Sequence, residues 1–314
     1  MAKEIEEKIQ KIYPLLENFD ITCARDTFSN LLVEDISNQE ILFCLKVCAF
    51  WINHKEELLN AQNFYEQAET LLLNWKEFLT IIQEEANSHE QCMFAIRKGV
   101  FNSALNLFSQ ALNEFENIQR IKIISRIAIC HKELGNYETA LKLLINENAK
   151  SSQDASIIAE LADCYALCGD EKQAKLLFRE AFYIGASSID VNFLKSQIFC
   201  VVYEETKKRH KNENSILEWI PVEGQLLGIF NVIRKLSAIE NGKLKQDIFA
   251  LENELKSEGS QPEILIPRLI NKYIWLIEHY RGTNSEEADY STAINDNLLK
   301  IKWLDTDIYQ RYTV

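Results

Sequence analysis

The stretch IKIISRIAICHKELGNYETALKLLINENAKSSQD, residues Ile121–Asp154, is followed directly by ASIIAELADCYALCGDEKQAKLLFREAFYIGASS, residues Ala155–Ser188. Laid over one another at an offset of 34 residues, the two keep the same small and large side chains in the same places. Ile127 falls on Leu161, Ala128 on Ala162, Cys130 on Cys164, Gly135 on Gly169, Ala140 on Ala174 and Leu144 on Phe178. A period of this length marks stacked helix–turn–helix units. One hairpin of two short helices cannot bury its apolar face alone, so such units cover one another.

Each shared position has a packing reason. Ala128 and Ala162 are small where two helices cross closely, and Ala140 and Ala174 do the same early in the second helix. Leu144 and Phe178 fill the space beyond them. Gly135 and Gly169 end the first helix, where a left-handed residue costs least without a Cβ. Asn136 and Asp170 then suit a tight turn. Cys130 and Cys164 share one core-facing position, which reads as small apolar packing.

Read together, these residues resemble the tetratricopeptide repeat family. The second copy carries the pattern best, through Leu161, Ala162, Tyr165, Gly169, Ala174, Phe178 and Ala181. The first departs from it at His131, where an aromatic is usual, and at Glu147, where a small residue is usual; neither copy has the closing proline. The resemblance implies an all-α fold, a TPR-like α-solenoid of stacked antiparallel helix hairpins in a right-handed superhelix, with a C-terminal helical extension. It also implies a concave groove, lined by the first helices, that holds an extended peptide or a partner helix. On that frame the first repeat presents Lys122, Ser125, Arg126, Ile129 and Lys132. The second presents Ser156, Ala159, Glu160, Asp163 and Ala166. One subclass of the family clamps a chaperone's C-terminal carboxylate with Lys, Asn and Arg. Lys122 and Arg126 match its Lys and Arg, but Glu90 and Gln91 stand near where the Asn belongs, so the clamp is incomplete.

The register extends outward with wider spacing. Gly99, Ala104 and Phe108 read as a turn followed by a second helix, 36 residues ahead of Ala140 in the repeat frame. Tyr65, Ala68 and Leu72 repeat that pattern, and Cys23, Ala24 and Phe28 form a degenerate copy. Ile5, Ile9, Ile12 and Leu16 recur at helical spacing, so the chain opens with a helix. Residues 39–52 read as a nearly all-apolar helix buried on several sides. These readings give repeats over 1–206, with 189–206 as a capping helix, a polar linker over 207–217, and a C-terminal helical bundle over 218–314. The bundle is expected to hold helices at about 222–237, 243–257, 263–281 and 292–312. Ser260 and Glu263 suggest a capping box, Pro267 a kink or a first turn, and residues 283–291 a polar connection.

The 314 residues include only 9 Gly and 4 Pro, and 47% are hydrophobic, which suits a mostly helical chain with ample core. A net charge of −13 speaks against phosphate backbones and anionic lipid, so neither nucleic acid nor membrane is an expected partner. With no secretory signal and no membrane-length segment, the expected location is cytoplasmic, and the eight cysteines are expected to be unpaired. Cys44 and Cys48 lie four apart, as do Cys164 and Cys168, but no second ligand pair accompanies either. His54, His89, His131, His210 and His279 fall in no metal-binding spacing, and His131 is expected to be a hydrogen-bonded packing residue. There is no phosphate loop and no nucleophile turn. Glu84–Glu85 and Glu286–Glu287 read as solvated faces, and the run Lys207–Lys211 as a solvated loop or a docking patch for an acidic partner.

The sequence thus points to a non-enzymatic scaffold without catalytic residue, cofactor or metal, whose partner is another protein or peptide; its oligomeric state is open. Two alternatives stand beside it. One is a peptide or signal sensor of the repeat-regulator type. The other is an enzyme with a site in the C-terminal part, where Arg268, Lys272, Trp275, His279 and Tyr280 share one long helix.

Overall fold

The computed structural model describes residues 2–83, 89–114, 117–150, 154–232, 234–282 and 290–313. Among them all regular structure is helical, in two compact units, Met1–Glu147 and Asn148–Val314. The first unit holds α1 (Ala2–Glu17), α2 (Ile21–Leu32), α3 (Gln39–Asn53), α4 (Lys55–Asn60), α5 (Phe64–Gln83), α6 (Glu90–Ala111) and α7 (Asn117–Glu133). α8 (Tyr137–Lys150) runs across the division. The second unit holds α9 (Ala155–Leu167), α10 (Glu171–Gly185), α11 (Gln197–Arg209), α12 (Ile216–Leu226), α13 (Ala238–Leu255), α14 (Pro262–Gly282), α15 (Ser291–Leu304) and α16 (Thr306–Thr313).

The two clean repeats close their first helices identically. Gly135, at φ +83°, donates its N–H to the Lys132 carbonyl at 3.0 Å, and Asn136 donates to His131 at 2.8 Å. Gly169, at φ +89°, donates to Ala166 at 3.0 Å, and Asp170 donates to Tyr165 at 2.9 Å. This paired bonding satisfies the carbonyls that a helix end leaves orphaned. Ala140, Ala174 and Phe178 are fully buried behind these turns, and Leu144 nearly so.

The same closure occurs a third time, without glycine. Phe19, at φ 58°, donates to Leu16 at 3.0 Å, and Asp20 donates to Leu15 at 2.8 Å. Five residues on stands Ala24 and nine on stands Phe28, both fully buried, in the spacing of Ala140 and Leu144 from Gly135. The left-handed conformation costs a residue with a side chain about 1 kcal/mol. The Phe19 ring offsets this by resting edge-on against Trp51, 5.4 Å between centroids. Asp20 then caps α2 by accepting from the Cys23 N–H at 3.3 Å.

Gly99 differs from the sequence expectation. No turn forms there, and α6 runs unbroken from Glu90 to Ala111. Val100 and Phe101 follow it, where Asn136 and Asp170 follow the true turn glycines, so nothing caps a new helix. The missing Cβ serves a close approach instead. A Cβ on Gly99 would stand 2.1 Å from the Leu16 carbonyl oxygen of α1. Around that crossing Lys98 pairs with Glu17 at 2.6 Å, and Gln10 bonds Gln91. Elsewhere in the first unit α1, α2 and α3 pack in succession, as do α5, α6 and α7.

In the second unit α9 and α10 form the second repeat hairpin, α12, α13 and α15 pack on α14, and α16 packs on α15. The polar run 207–217 lies inside this unit, with α11 continuing through Arg209. The helix expected over 222–237 is replaced by α12, which ends at Leu226. The chain then folds back so that Ile229 and Phe230 both donate to the Gly224 carbonyl at 2.9 Å. A Cβ on Gly224 would meet the Phe230 ring at 2.3 Å, so only glycine admits this fold-back. Phe230 stacks on Phe178 and Phe182, which in turn stack on Phe199. The capping box forms at Ser237–Glu240, opening α13, rather than at Ser260–Glu263. α14 passes through Pro267, and the last expected helix divides at Asp305 into α15 and α16. The connection expected over 283–291 and the pairs Glu84–Glu85 and Glu286–Glu287 fall largely or wholly outside the described residues.

Candidate functional site

The expected groove positions lie on α7 and α9. On α7, Lys122 is exposed, and Ser125 is half-buried with its hydroxyl donating to the Ile121 carbonyl at 3.1 Å. Arg126 is half-buried and donates from Nε to Glu69 at 2.7 Å. Ile129 and Lys132 are buried. On α9, Ser156 and Ala166 keep some surface, whereas Ala159, Glu160 and Asp163 are buried. Asp163 is fully enclosed and accepts the backbone N–H groups of Lys195 at 3.0 Å and Ser196 at 2.7 Å. Five of the ten positions are therefore buried, and Lys122, Ser125, Arg126, Ser156 and Ala166 keep accessible surface.

Beside Lys122 lies a depression of about 190 Å³ lined by Tyr65, Gln119, Lys122 and Ile123. Lys122 is the only charged side chain among these four. Burial, reinforced by the Glu69 carboxylate, raises the Tyr65 hydroxyl above its ordinary pKa. A carboxylate clamp made of Lys122 and Arg126 would first have to displace Glu69 from Arg126.

The basic run at 207–211 is largely neutralised within the chain. Lys207 pairs with Glu204 at 2.6 Å and Lys208 with Glu205 at 2.7 Å. Arg209 reaches Glu223 at 3.7 Å, and His210 Nε2 meets it at 3.0 Å while its ring stacks on Trp219 at 4.1 Å. Glu223 is fully buried and also takes both Arg311 nitrogens, Nη1 at 2.9 Å and Nη2 in a short ion pair. Burial alone would raise its pKa, but the Arg311 and His210 hydrogen bonds outweigh it and hold the carboxyl down at about 2. This centre was invisible in the sequence, because Arg311 is 88 residues from its partner.

The C-terminal cluster separates into two parts. Arg268 and Lys272, one turn apart on α14, line a cleft of about 430 Å³ together with Glu218, Asp247, Asn271 and the chain from Phe182 to Ser187, at and just beyond the end of α10. Arg268 pairs with Glu218 at 2.6 Å and Lys272 with Asp247 at 2.9 Å. Trp275 is buried in a column of two neighbouring rings with a cation at each end. Lys272 Nζ lies 4.6 Å from the Tyr183 ring, Tyr183 lies 4.5 Å from Trp275, and the Arg179 guanidinium lies 4.4 Å from Trp275. Arg179 and Glu278 form a buried ion pair, completed by Arg179 to the Val232 carbonyl at 3.0 Å and Gln225 to Glu278 at 2.7 Å. Burial lowers the Arg179 pKa to about 10. His279 and Tyr280 do not line the cleft.

None of the eight cysteines is joined in a disulfide, and Cys44, Cys48, Cys92, Cys130 and Cys164 are buried. Among the described residues no cluster of three His, Cys, Asp or Glu is arranged to hold a metal, and no described helix is long and apolar enough to cross a membrane. His131 departs from the expectation of a hydrogen-bonded role. Its Nδ1 is buried with no hydrogen bond, and burial lowers its pKa. No protein-family model matches the chain, and neither does any curated protein or solved structure.

Proposed function

We propose that the chain is a helical-repeat scaffold of the tetratricopeptide type that binds a segment of another protein, with the depression at Lys122 as a contact point. The observation that carries this reading is the turn repeated at Phe19, Gly135 and Gly169. Each has the same backbone closure, a buried Ala five residues on and a large buried side chain nine residues on. Three copies of one hairpin grammar fit a binding architecture. In the repeat frame that the resemblance implies, Lys122 belongs to the inner face of its hairpin, and the depression lies beside it. A lysine beside an aromatic and an aliphatic side chain suits a peptide carrying an acidic group next to an apolar one.

A photo-crosslinking amino acid at Gln119 tests this, with one at the exposed Lys142 as control. The scaffold reading expects a defined adduct from position 119, none from 142, and loss of the adduct in Lys122→Glu. Identical adducts from both positions, or an adduct indifferent to Lys122→Glu, would overturn it.

A further inference from the structure

The cleft on α14 lies wholly within the second unit, and its lining carries two observations beyond its size. Asn271 is only 7% exposed, lines the cleft, and has no hydrogen bond among the described residues. Its amide atoms are not sealed off, so they are open to a ligand atom in the cleft. Arg268 uses only Nη2, on Glu218, and its Nε and Nη1 donate to nothing else among the described residues. Arg268, Asn271 and Lys272 follow one another at helical spacing, so the spare donors and the free amide present one face.

The charge of the lining selects the ligand. Two cations, Arg268 and Lys272, are matched by two anions, Glu218 and Asp247. A ligand of net charge would leave one buried or half-buried group uncompensated. A zwitterion keeps the balance, its carboxylate on Arg268 and Asn271 and its ammonium toward Asp247. The rest of the wall is mixed, with Phe182, Ala250 and Leu251 giving it an apolar part beside Tyr183 and Ser187. The volume of about 430 Å³ falls in the ordinary range for small-molecule sites.

We infer that this cleft is a binding site for a free α-amino acid with an aliphatic or aromatic side chain. The site is separate from the depression at Lys122, so failure of either reading leaves the other standing.

Isothermal titration of the full chain tests it with three probes. L-Leucine carries both charges, L-leucinamide lacks the carboxylate, and 4-methylpentanoate lacks the ammonium. L-Leucine is expected to bind at millimolar or lower concentration, and the other two about tenfold or more weaker. Asn271→Ala should weaken L-leucine about tenfold without removing a partner from any other side chain. Ala250→Trp, at an exposed position on the cleft wall, should abolish binding by filling the space. No binding of L-leucine or L-phenylalanine at millimolar concentration would overturn the inference. So would equal binding of 4-methylpentanoate, or full affinity in both variants with their helical circular dichroism intact.

Discussion

Replacing Gly99 by alanine tests the packing of α1 on α6 most directly. The new Cβ would stand 2.1 Å from the Leu16 carbonyl oxygen and 3.2 Å from both the Leu16 carbonyl carbon and the Phe19 nitrogen. All three are backbone atoms, so no side chain can swing away, and α1 itself must retreat by more than about 1 Å to restore an ordinary contact. Overpacking of this kind costs roughly 1–3 kcal/mol, and a backbone obstacle puts it at the upper end. Alanine recovers about 1 kcal/mol of helix propensity within α6. The net loss is then about 2 kcal/mol, or a fall in Tm of about 4–8 °C for a unit of this size. Gly242→Ala is the control, since a Cβ on that α13 glycine meets nothing within 4 Å. It should gain about 0.5–1 kcal/mol. Thermal melts followed by circular dichroism give the totals, and hydrogen exchange read on peptides from α1 and α6 gives the location. If Gly99→Ala melts like the parent chain and both helices keep their protection, the close crossing does not exist.

Two further predictions concern buried groups. Glu223 titrates at about 2 in the folded chain against about 4.3 when unfolded, so its ion pairs contribute about 3 kcal/mol at neutral pH. Because the folded pKa is the depressed one, that contribution is present above about pH 5 and is lost as pH falls toward 2. Urea melts of the parent and Glu223→Gln should therefore differ widely at pH 7 and by about half as much near pH 3, and a constant gap would refute the assignment. Thiol titration should find three fast cysteines, Cys23, Cys168 and Cys200, with the other five reacting only in denaturant. A fourth fast thiol would mean that a helix interface holding Cys44, Cys48, Cys92, Cys130 or Cys164 is open.

What could be read from sequence followed the range of the forces involved. The turns at Gly135 and Gly169 were legible because a left-handed residue, a turn-forming Asn or Asp and a small residue five positions on are all local signals. The N-terminal copy was visible only through Cys23, Ala24 and Phe28, because Phe19 adopts the turn without the glycine that announces it. Gly99 misled for the converse reason. A glycine's missing side chain serves a turn or a close approach equally well, and the partner, Leu16, lies in another helix. Helical spacing put Lys122 and Arg126 on one face but carried no information about Glu69, which occupies Arg126. Likewise Asp163 looked available until the 195–196 backbone came to rest on it. The cleft was half legible: Arg268 and Lys272 share a helix face, whereas Glu218 and Asp247 reach it only through the packing of α12 and α13 on α14.

The crossing of α1 over α6 has a consequence for how the first unit folds. In a linear stack each hairpin touches only its sequence neighbours, so the chain zips from any nucleus and tolerates trimming from either end. Here Lys98 meets Glu17 across 81 residues, and the length-dependent entropy of closing such a loop is roughly 4 kcal/mol. That cost falls before the contact repays it, which slows folding relative to a chain of local hairpins. It also ties the first helix to the sixth thermodynamically. Removing α1 strips the cover from the middle of α6, so the unit should lose its cooperative transition as a whole rather than shorten by one repeat.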